Sequence, residues 1–169
     1  MKLRFLGGTG TVTGSRYLLS DDNHRMLVDC GMYQGVKTLR RRNWAKFPVD
    51  PSTIDAVVLT HAHIDHTGYL PALVKHGFKG KIYCTKATHE LCKVLLPDAG
   101  FLQEQVHGVR GQLGGLGLTI EVFHQVRGRL DASAGAGQLE HVAAVAQGDA
   151  EPAFDQLQML VALATQVGK

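Results

Sequence analysis

The sequence has few cysteines, and their spacing fits no stabilising framework. Only Cys30, Cys84 and Cys92 are present, an odd number without a CxxC pair. Neither a disulfide scaffold nor a zinc ribbon is indicated, and a reducing cytoplasm is the expected compartment. We interpret Cys84 and Cys92 as small buried hydrophobic residues.

Long apolar runs are also missing. None approaches the roughly 18 residues that cross a bilayer, so no membrane association is expected. Met1 is not followed by a charged region and a long apolar stretch, so no signal peptide is predicted. The 169 residues, 44% hydrophobic and 20% charged, are typical of one globular domain with a real core.

Positive charge is scarce in the second part of the chain. Of the 18 Lys and Arg residues, 14 precede residue 105, and the net charge is +3. The one dense basic run is Arg40-Arg41-Arg42, with Lys37, Trp44 and Lys46 nearby. Such a run could bind phosphates by charge and a base by stacking, or it could be a solvated basic loop.

The most informative feature is the segment His61-Ala62-His63-Ile64-Asp65-His66, which directly follows the apolar run Ala56-Val57-Val58-Leu59. Imidazole nitrogen and carboxylate oxygen are good ligands for Zn²⁺ and for Fe or Mn in similar sites. His61 and His63 are two apart and Asp65 and His66 are adjacent, so one tight loop could serve two neighbouring metals. The alternative is a solvated histidine-rich loop.

This HxHxDH spacing resembles the signature of the metallo-β-lactamase superfamily. Val12-Thr13-Gly14-Ser15, Asp29-Cys30-Gly31-Met32-Tyr33-Gln34-Gly35 and Thr60-HAHIDH-Thr67-Gly68 are similar to its β-CASP branch of RNA-processing nucleases. The resemblance covers residues 1–104. It implies metal ligation by His61, His63, Asp65 and His66, a catalytic role for Asp65 in orienting water, and a supporting role for Asp29, which would hold a ligating imidazole. Two Zn²⁺ ions are expected in a complete family site.

The predicted fold class is α/β, specifically the N-terminal half of a metallo-β-lactamase-type αββα sandwich with a mixed β-sheet and flanking helices. We predict a strand at residues 2–6, a hairpin of residues 15–19 and 25–28, a buried strand at 54–60 and another at 81–84. A helix is predicted from Thr85 or Thr88 with Leu91, Val94 and Leu95 in the core. His89 is expected at the surface.

Residues 105–169 form the second predicted region, a divergent tail rich in Gly, Ala and Gln, with a strand at 118–123 and a helix at 153–167. The resemblance implies further ligands there, but Gln138 stands where a His is expected. His141 and Asp149 are the nearest replacements, while His107 and His124 are interpreted as surface residues. A truncated or frame-shifted chain, a divergent domain with relocated ligands, and a site completed by another subunit remain open. We therefore expect weak or single-metal binding.

Three functions are compatible with these residues. The first is a metal-dependent hydrolase that cleaves RNA phosphodiester bonds with a metal-activated water. The second is a hydrolase of a small ester or thioester on the same fold, and the third is an inactive metal-binding remnant. RNA is the expected partner, and a homo-oligomer is compatible with the sequence.

Overall fold

The computed structural model describes residues 1–108 and 120–131. Within these residues, one sheet contains six strands in the order β1-β2-β3-β4-β5-β6. The strands are β1 (Lys2–Gly7), β2 (Arg16–Ser20), β3 (Arg25–Val28), β4 (Ala56–Val58), β5 (Lys81–Tyr83) and β6 (Leu130–Asp131). The helices are α1 (Lys37–Arg40), α2 (Ile64–Thr67), α3 (Leu70–Lys75), α4 (Lys86–Gly108) and α5 (Ile120–Arg129), with 3₁₀ helices at Arg41–Trp44 and Pro51–Thr53. The predicted α/β class with a mixed sheet is confirmed.

The first three strands are antiparallel, and the predicted hairpin of β2 and β3 is confirmed. Its turn is closed by Asp21, whose carboxylate accepts hydrogen bonds from the backbone nitrogens of Asn23 (2.8 Å) and His24 (2.7 Å). A short polar side chain that bonds the backbone two and three residues on is a recurrent way to reverse the chain.

From β3 to β6 the strands are parallel, and their carboxyl ends lie at one edge of the sheet. Val28 pairs with Val58, and Val58 pairs with Tyr83. The pairing continues past the strand end, since the backbone nitrogen of Asp29 donates to the carbonyl of Val58 at 2.9 Å. The residues after β3 and β4 are therefore neighbours.

Alternate residues of the strands point to two buried clusters, as the period of two requires. One cluster packs between the sheet and α3, α4 and α5, and its sheet residues are Leu18, Leu27, Val57 and Ile82. The other lies on the opposite face and contains Leu19, Met26, Val28, Ala56, Val58 and Tyr83. Apolar residues on both faces explain why β3 and β4 are continuous hydrophobic runs.

Helix α4 corrects one prediction about the core. Its N-terminus is at the predicted place, since the hydroxyl of Thr85 accepts a hydrogen bond from the backbone nitrogen of Thr88 at 3.2 Å. However, Leu91 and Val94 are exposed rather than buried, and Leu95 is only partly buried. The buried stripe is Thr88, Cys92 and Leu96, at the spacing of one helical face.

The predicted strand at residues 118–123 is wrong for the part that the structure describes. Residues from Ile120 onward are helical in α5, which packs against α3 and α4. Val122 and Val126 are buried four residues apart, so a helical period replaces the alternation over a longer window. The predicted helix at 153–167 lies outside the described residues, and the division at residue 104 stays a prediction. None of the described helices is long and apolar enough to span a bilayer.

Candidate metal centre

The candidate ligands occupy the loop that leaves β4 at the carboxyl edge of the sheet. Ala62 is buried and anchors the loop in the core. His63 precedes α2, and its carbonyl accepts hydrogen bonds from the backbone nitrogens of His66 and Thr67, both at 2.9 Å. The hydroxyl of Thr67 also donates to the carbonyls of Ala62 (3.2 Å) and His63 (3.0 Å). One helical turn therefore folds the six residues into a compact unit.

The structure brings all four predicted ligands together, in two pairs. The Nε2 atom of His61 lies 3.2 Å from Nδ1 of His63. The Nε2 atom of His66 lies 3.6 Å from an oxygen of Asp65. The rings of His61 and His66 join the pairs, with centroids 3.9 Å apart.

Asp29 is fully buried behind this loop and contacts it through both carboxylate oxygens. One oxygen lies 2.7 Å from Nδ1 of His66 and accepts at 3.2 Å from the hydroxyl of Ser15. The other accepts from the backbone nitrogen of Thr60 at 2.9 Å and from its hydroxyl at 3.0 Å. Asp29 adopts a φ of 58°, a left-handed conformation that Asp tolerates better than most residues and that turns its side chain toward the loop.

These contacts define which imidazole nitrogens remain free for a ligand. Because Nδ1 of His66 donates its proton to Asp29, its Nε2 carries the lone pair. The hydroxyl of Thr60 donates to Asp29 and accepts at 3.0 Å from Nδ1 of His61, which leaves Nε2 of His61 with the lone pair. That nitrogen faces Nδ1 of His63.

The two partly buried histidines have opposite pKa shifts. Desolvation, followed by the charge of His66, lowers the pKa of His61, so its neutral and ligating form is favoured. Desolvation also lowers the pKa of His66, but its hydrogen bond to Asp29 and the charges of Asp29 and Asp65 outweigh this, and the pKa is raised. A proton is therefore held more tightly by His66 than by His61, and it would hinder metal binding more at His66.

The donor atoms fit a tetrahedral zinc ion in pairs but not as a complete set. Ligands about 2.0–2.2 Å from Zn²⁺ in tetrahedral geometry stand roughly 3.3 Å apart, and the two pairs are separated by 3.2 Å and 3.6 Å. Among residues 1–108 and 120–131, no group of three or more His, Cys, Asp or Glu residues is placed to hold one ion. Gln138, His141 and Asp149 lie outside the described residues, as does the side chain of His107, and His124 is exposed on α5.

Sequence reasoning gave no role to Ser15 and Thr60, although both stand in the motifs that carry the resemblance. Besides binding Asp29, Ser15 donates its backbone nitrogen to the carbonyl of Asp65 at 2.9 Å. Gly31 was also missed. A Cβ there would overlap the carbonyl group of Asp65 and lie 2.8 Å from the backbone nitrogen of His66. The signal was available, since a Gly directly after Asp-Cys can mark a close backbone approach.

Comparison with known proteins places the chain in a family. The model of the metallo-beta-lactamase superfamily matches residues 9–141, and the chain belongs to that superfamily. The resemblance to its β-CASP branch is confirmed by the curated relatives.

Three of these relatives share the same part of the chain. The chain is 46% identical to "Ribonuclease TTHA0252" of Thermus thermophilus over 59% of its length and 22% of that protein. It is 43% identical to "Transcription termination factor FttA" of Cenarchaeum symbiosum over 59% of its length and 16% of that protein. It is 35% identical to "Integrator complex subunit 11 homolog" of Dictyostelium discoideum over 55% of its length and 13% of that protein.

The chain therefore spans about a fifth or less of the length of these relatives. Solved structures that match include the metallo-beta-lactamase SMB-1, at 22% identity and a TM-score of 0.40, over 54% of this chain and 34% of that one.

Proposed function

We propose that the chain carries the first half of the active site of a metal-dependent hydrolase that cleaves RNA phosphodiester bonds. The observation that carries the proposal is the pair of donor sets on one loop, His61 with His63 and Asp65 with His66, held by the buried Asp29. The RNA substrate is supported by the similarity to a ribonuclease and to transcription termination factors.

In this mechanism Nε2 of His61 and Nδ1 of His63 would hold one cation, and Asp65 and Nε2 of His66 would hold a second. Zn²⁺ is the proposed metal because imidazole and carboxylate are its common ligands. When bound, such a cation acts as a Lewis acid that makes water a usable nucleophile near neutral pH and offsets the charge on phosphate. Asp65 would orient the attacking water, and Asp29 keeps the proton on Nδ1 of His66.

The test compares zinc binding and RNA cleavage in the parent chain and in His63→Ala and Asp65→Asn, with His89→Ala as the control. His89 is a histidine of α4 whose Nδ1 lies 3.0 Å from a carboxylate oxygen of Glu90. Both site variants are expected to lose cleavage by more than the roughly 10- to 100-fold caused by changes in the outer shell of metal sites, with unchanged thermal unfolding. Full cleavage by either site variant would reject the assignment.

One alternative is favoured by a specific observation. The described residues offer two donors for each cation and no third, so the chain on its own is expected to bind zinc weakly or as a single ion. Two tightly held ions per purified chain would contradict this. Zinc binding without turnover of RNA would identify a metal-binding remnant, and turnover of a chromogenic ester with RNA left intact would identify the small-ester hydrolase.

We also propose a reducing, cytoplasmic setting, supported by three buried cysteines that form no disulfide within the described part of the chain. A homo-oligomer remains a proposal that sedimentation of the purified chain would test.

A further inference from the structure

The segment after the Asp29 loop concentrates positive charge, which the carboxylate of Asp50 offsets only at Lys46 among its described basic residues. Residues 30–49 contain five Lys and Arg residues and no Asp or Glu. Lys37, Arg40, Arg41, Arg42 and Lys46 are all exposed or nearly so. Within the part of the chain that the structure describes, Lys37 and the three arginines form no ion pair. We call residues 36–47 the basic segment.

The basic segment is tied to the core by one buried side chain. Asn43 is almost fully buried, and its side-chain amide binds both backbone groups of Tyr33, accepting from the nitrogen and donating to the oxygen at 2.8 Å each. The guanidinium of Arg42 lies 5.5 Å from the centre of the Tyr33 ring, within the range of a cation-π contact. The buried Arg16 lies 5.0 Å from the same ring.

This clamp joins the basic segment to the candidate metal loop. Tyr33 follows Met32, whose backbone nitrogen donates to the carbonyl of Ile64 at 3.1 Å, inside the HxHxDH segment. Asp29, which holds His66, is only four residues before Tyr33. A solvated loop without a role would not need a buried Asn to fix its position beside the site.

An aromatic surface lies within the same segment. Trp44 is 45% exposed. It lines a surface cavity of about 730 Å³ whose other polar lining residues are Lys46, Asp50 and His76. Exposed aromatic rings beside cationic side chains are the combination that holds single-stranded nucleic acid, because bases stack on the ring while phosphates meet the charges.

We propose that the basic segment is a docking surface for single-stranded RNA, which it delivers to the adjacent metal loop. Arg40, Arg41 and Arg42 bind successive phosphates, and a base stacks on Trp44. This inference rests on the proposed function for its choice of RNA, but it concerns binding and not cleavage, so the two can fail separately.

The test measures binding of a fluorescently labelled oligouridine to the full chain by anisotropy, in EDTA so that no cleavage occurs, at several salt concentrations. Each phosphate contact on a single strand contributes about 0.7 to the slope of log affinity against log salt concentration. The triple variant Arg40→Gln, Arg41→Gln, Arg42→Gln is expected to flatten the slope by about 2. Trp44→Ala is expected to weaken binding about 10-fold with the slope unchanged, and Trp44→Phe to recover most of the affinity.

The matched control is Lys2→Gln, Arg4→Gln, Lys79→Gln, which removes the same charge from exposed positions outside the basic segment. An equal change of slope in the two triple variants would show a general charge effect and overturn the inference, as would an unchanged slope in the arginine variant. Thermal unfolding of each variant shows whether it is folded. Normal cleavage with unaltered RNA affinity in the arginine variant would reject the docking surface alone, whereas docking without cleavage would reject the proposed function alone.

Discussion

Substitution of Gly31 by Ala should disrupt the candidate metal centre more than its small size suggests. Gly31 lies where the chain after β3 crosses the metal loop, and an added Cβ would occupy the position of the Asp65 carbonyl group. Non-bonded heavy atoms keep about 3.5 Å apart, so the two segments have to separate by on the order of 1–2 Å. The backbone of Gly31 has no positive φ, so steric overlap is the whole effect.

The magnitude follows from the hydrogen bonds on either side of Gly31. The backbone nitrogen of Cys30 donates to the carbonyl of His66 at 2.7 Å, and that of Met32 donates to the carbonyl of Ile64 at 3.1 Å. Each buried donor left without a partner costs about 1–3 kcal/mol, so the free energy of unfolding should fall by about 2–6 kcal/mol. That is a large share of the roughly 5–15 kcal/mol of an ordinary domain.

The assay is urea denaturation followed by circular dichroism, together with zinc titration of the folded protein. The matched control is Gly35→Ala in the same loop, where no atom lies within 4 Å of the added Cβ but φ is +85°. It should lose only about 1–2 kcal/mol, the cost of a left-handed residue with a Cβ, and keep its zinc affinity. A Gly31→Ala chain with stability within 1 kcal/mol of the parent (roughly the normal effect of a point mutation) and unchanged zinc affinity would refute the reasoning.

Three further predictions follow from the surroundings of the site. In metal-free protein, NMR titration should find the pKa of His66 above and that of His61 below the ordinary value of 6.5, and Asp29→Asn should lower the pKa of His66. The stability that protonated His66 contributes is then fully present below pH 6.5 and is lost as the pH rises through the raised pKa. Protonation of His61 has the opposite effect and destabilises the fold as the pH falls. Equal pKa values for the two histidines would contradict both expectations. Arg16→Lys should reduce the free energy of unfolding, measured in urea, by about 2–4 kcal/mol. The substitution removes the planar guanidinium, which donates to the Gly31 carbonyl at 2.8 Å and lies 4.0 Å from the centre of the Tyr69 ring. An unchanged urea midpoint would contradict this. Burial raises the pKa of Cys30 to about 12 and that of Cys92 to about 11. Neither thiol should therefore react with a disulfide reagent until the chain unfolds. Rapid labelling of these two thiols in the native protein would show the burial to be wrong.

The hairpin, the buried strand before His61 and the start of α4 could all be predicted because their signals are local: alternation, turn residues and a capping threonine. The supporting role of Asp29 was implied by the family resemblance, and the parallel pairing of β3 and β4 brings it next to His66. The hydrogen bonds of Ser15 and the contact of Gly31 with Asp65 could not be predicted, because they join segments far apart in sequence through backbone geometry. Helix α5 was misread because a window of six residues cannot distinguish alternation from a helical period.

Within residues 1–108 and 120–131, the hydrogen bonds made to His61, His63, Asp65 and His66 come from residues 15–67. Ser15, Asp29 and Thr60 fix the histidine tautomers, and the backbone of residues 30–32 fixes the path of the loop. Because these contacts form with folding of the sheet edge, they orient His61, Asp65 and His66 before any cation binds. This preorganisation of His61 and His66 favours metal binding even with two donors for each ion. Geometry and affinity are therefore separable here: the described half-site sets the geometry, and additional ligands would determine how tightly each ion is held.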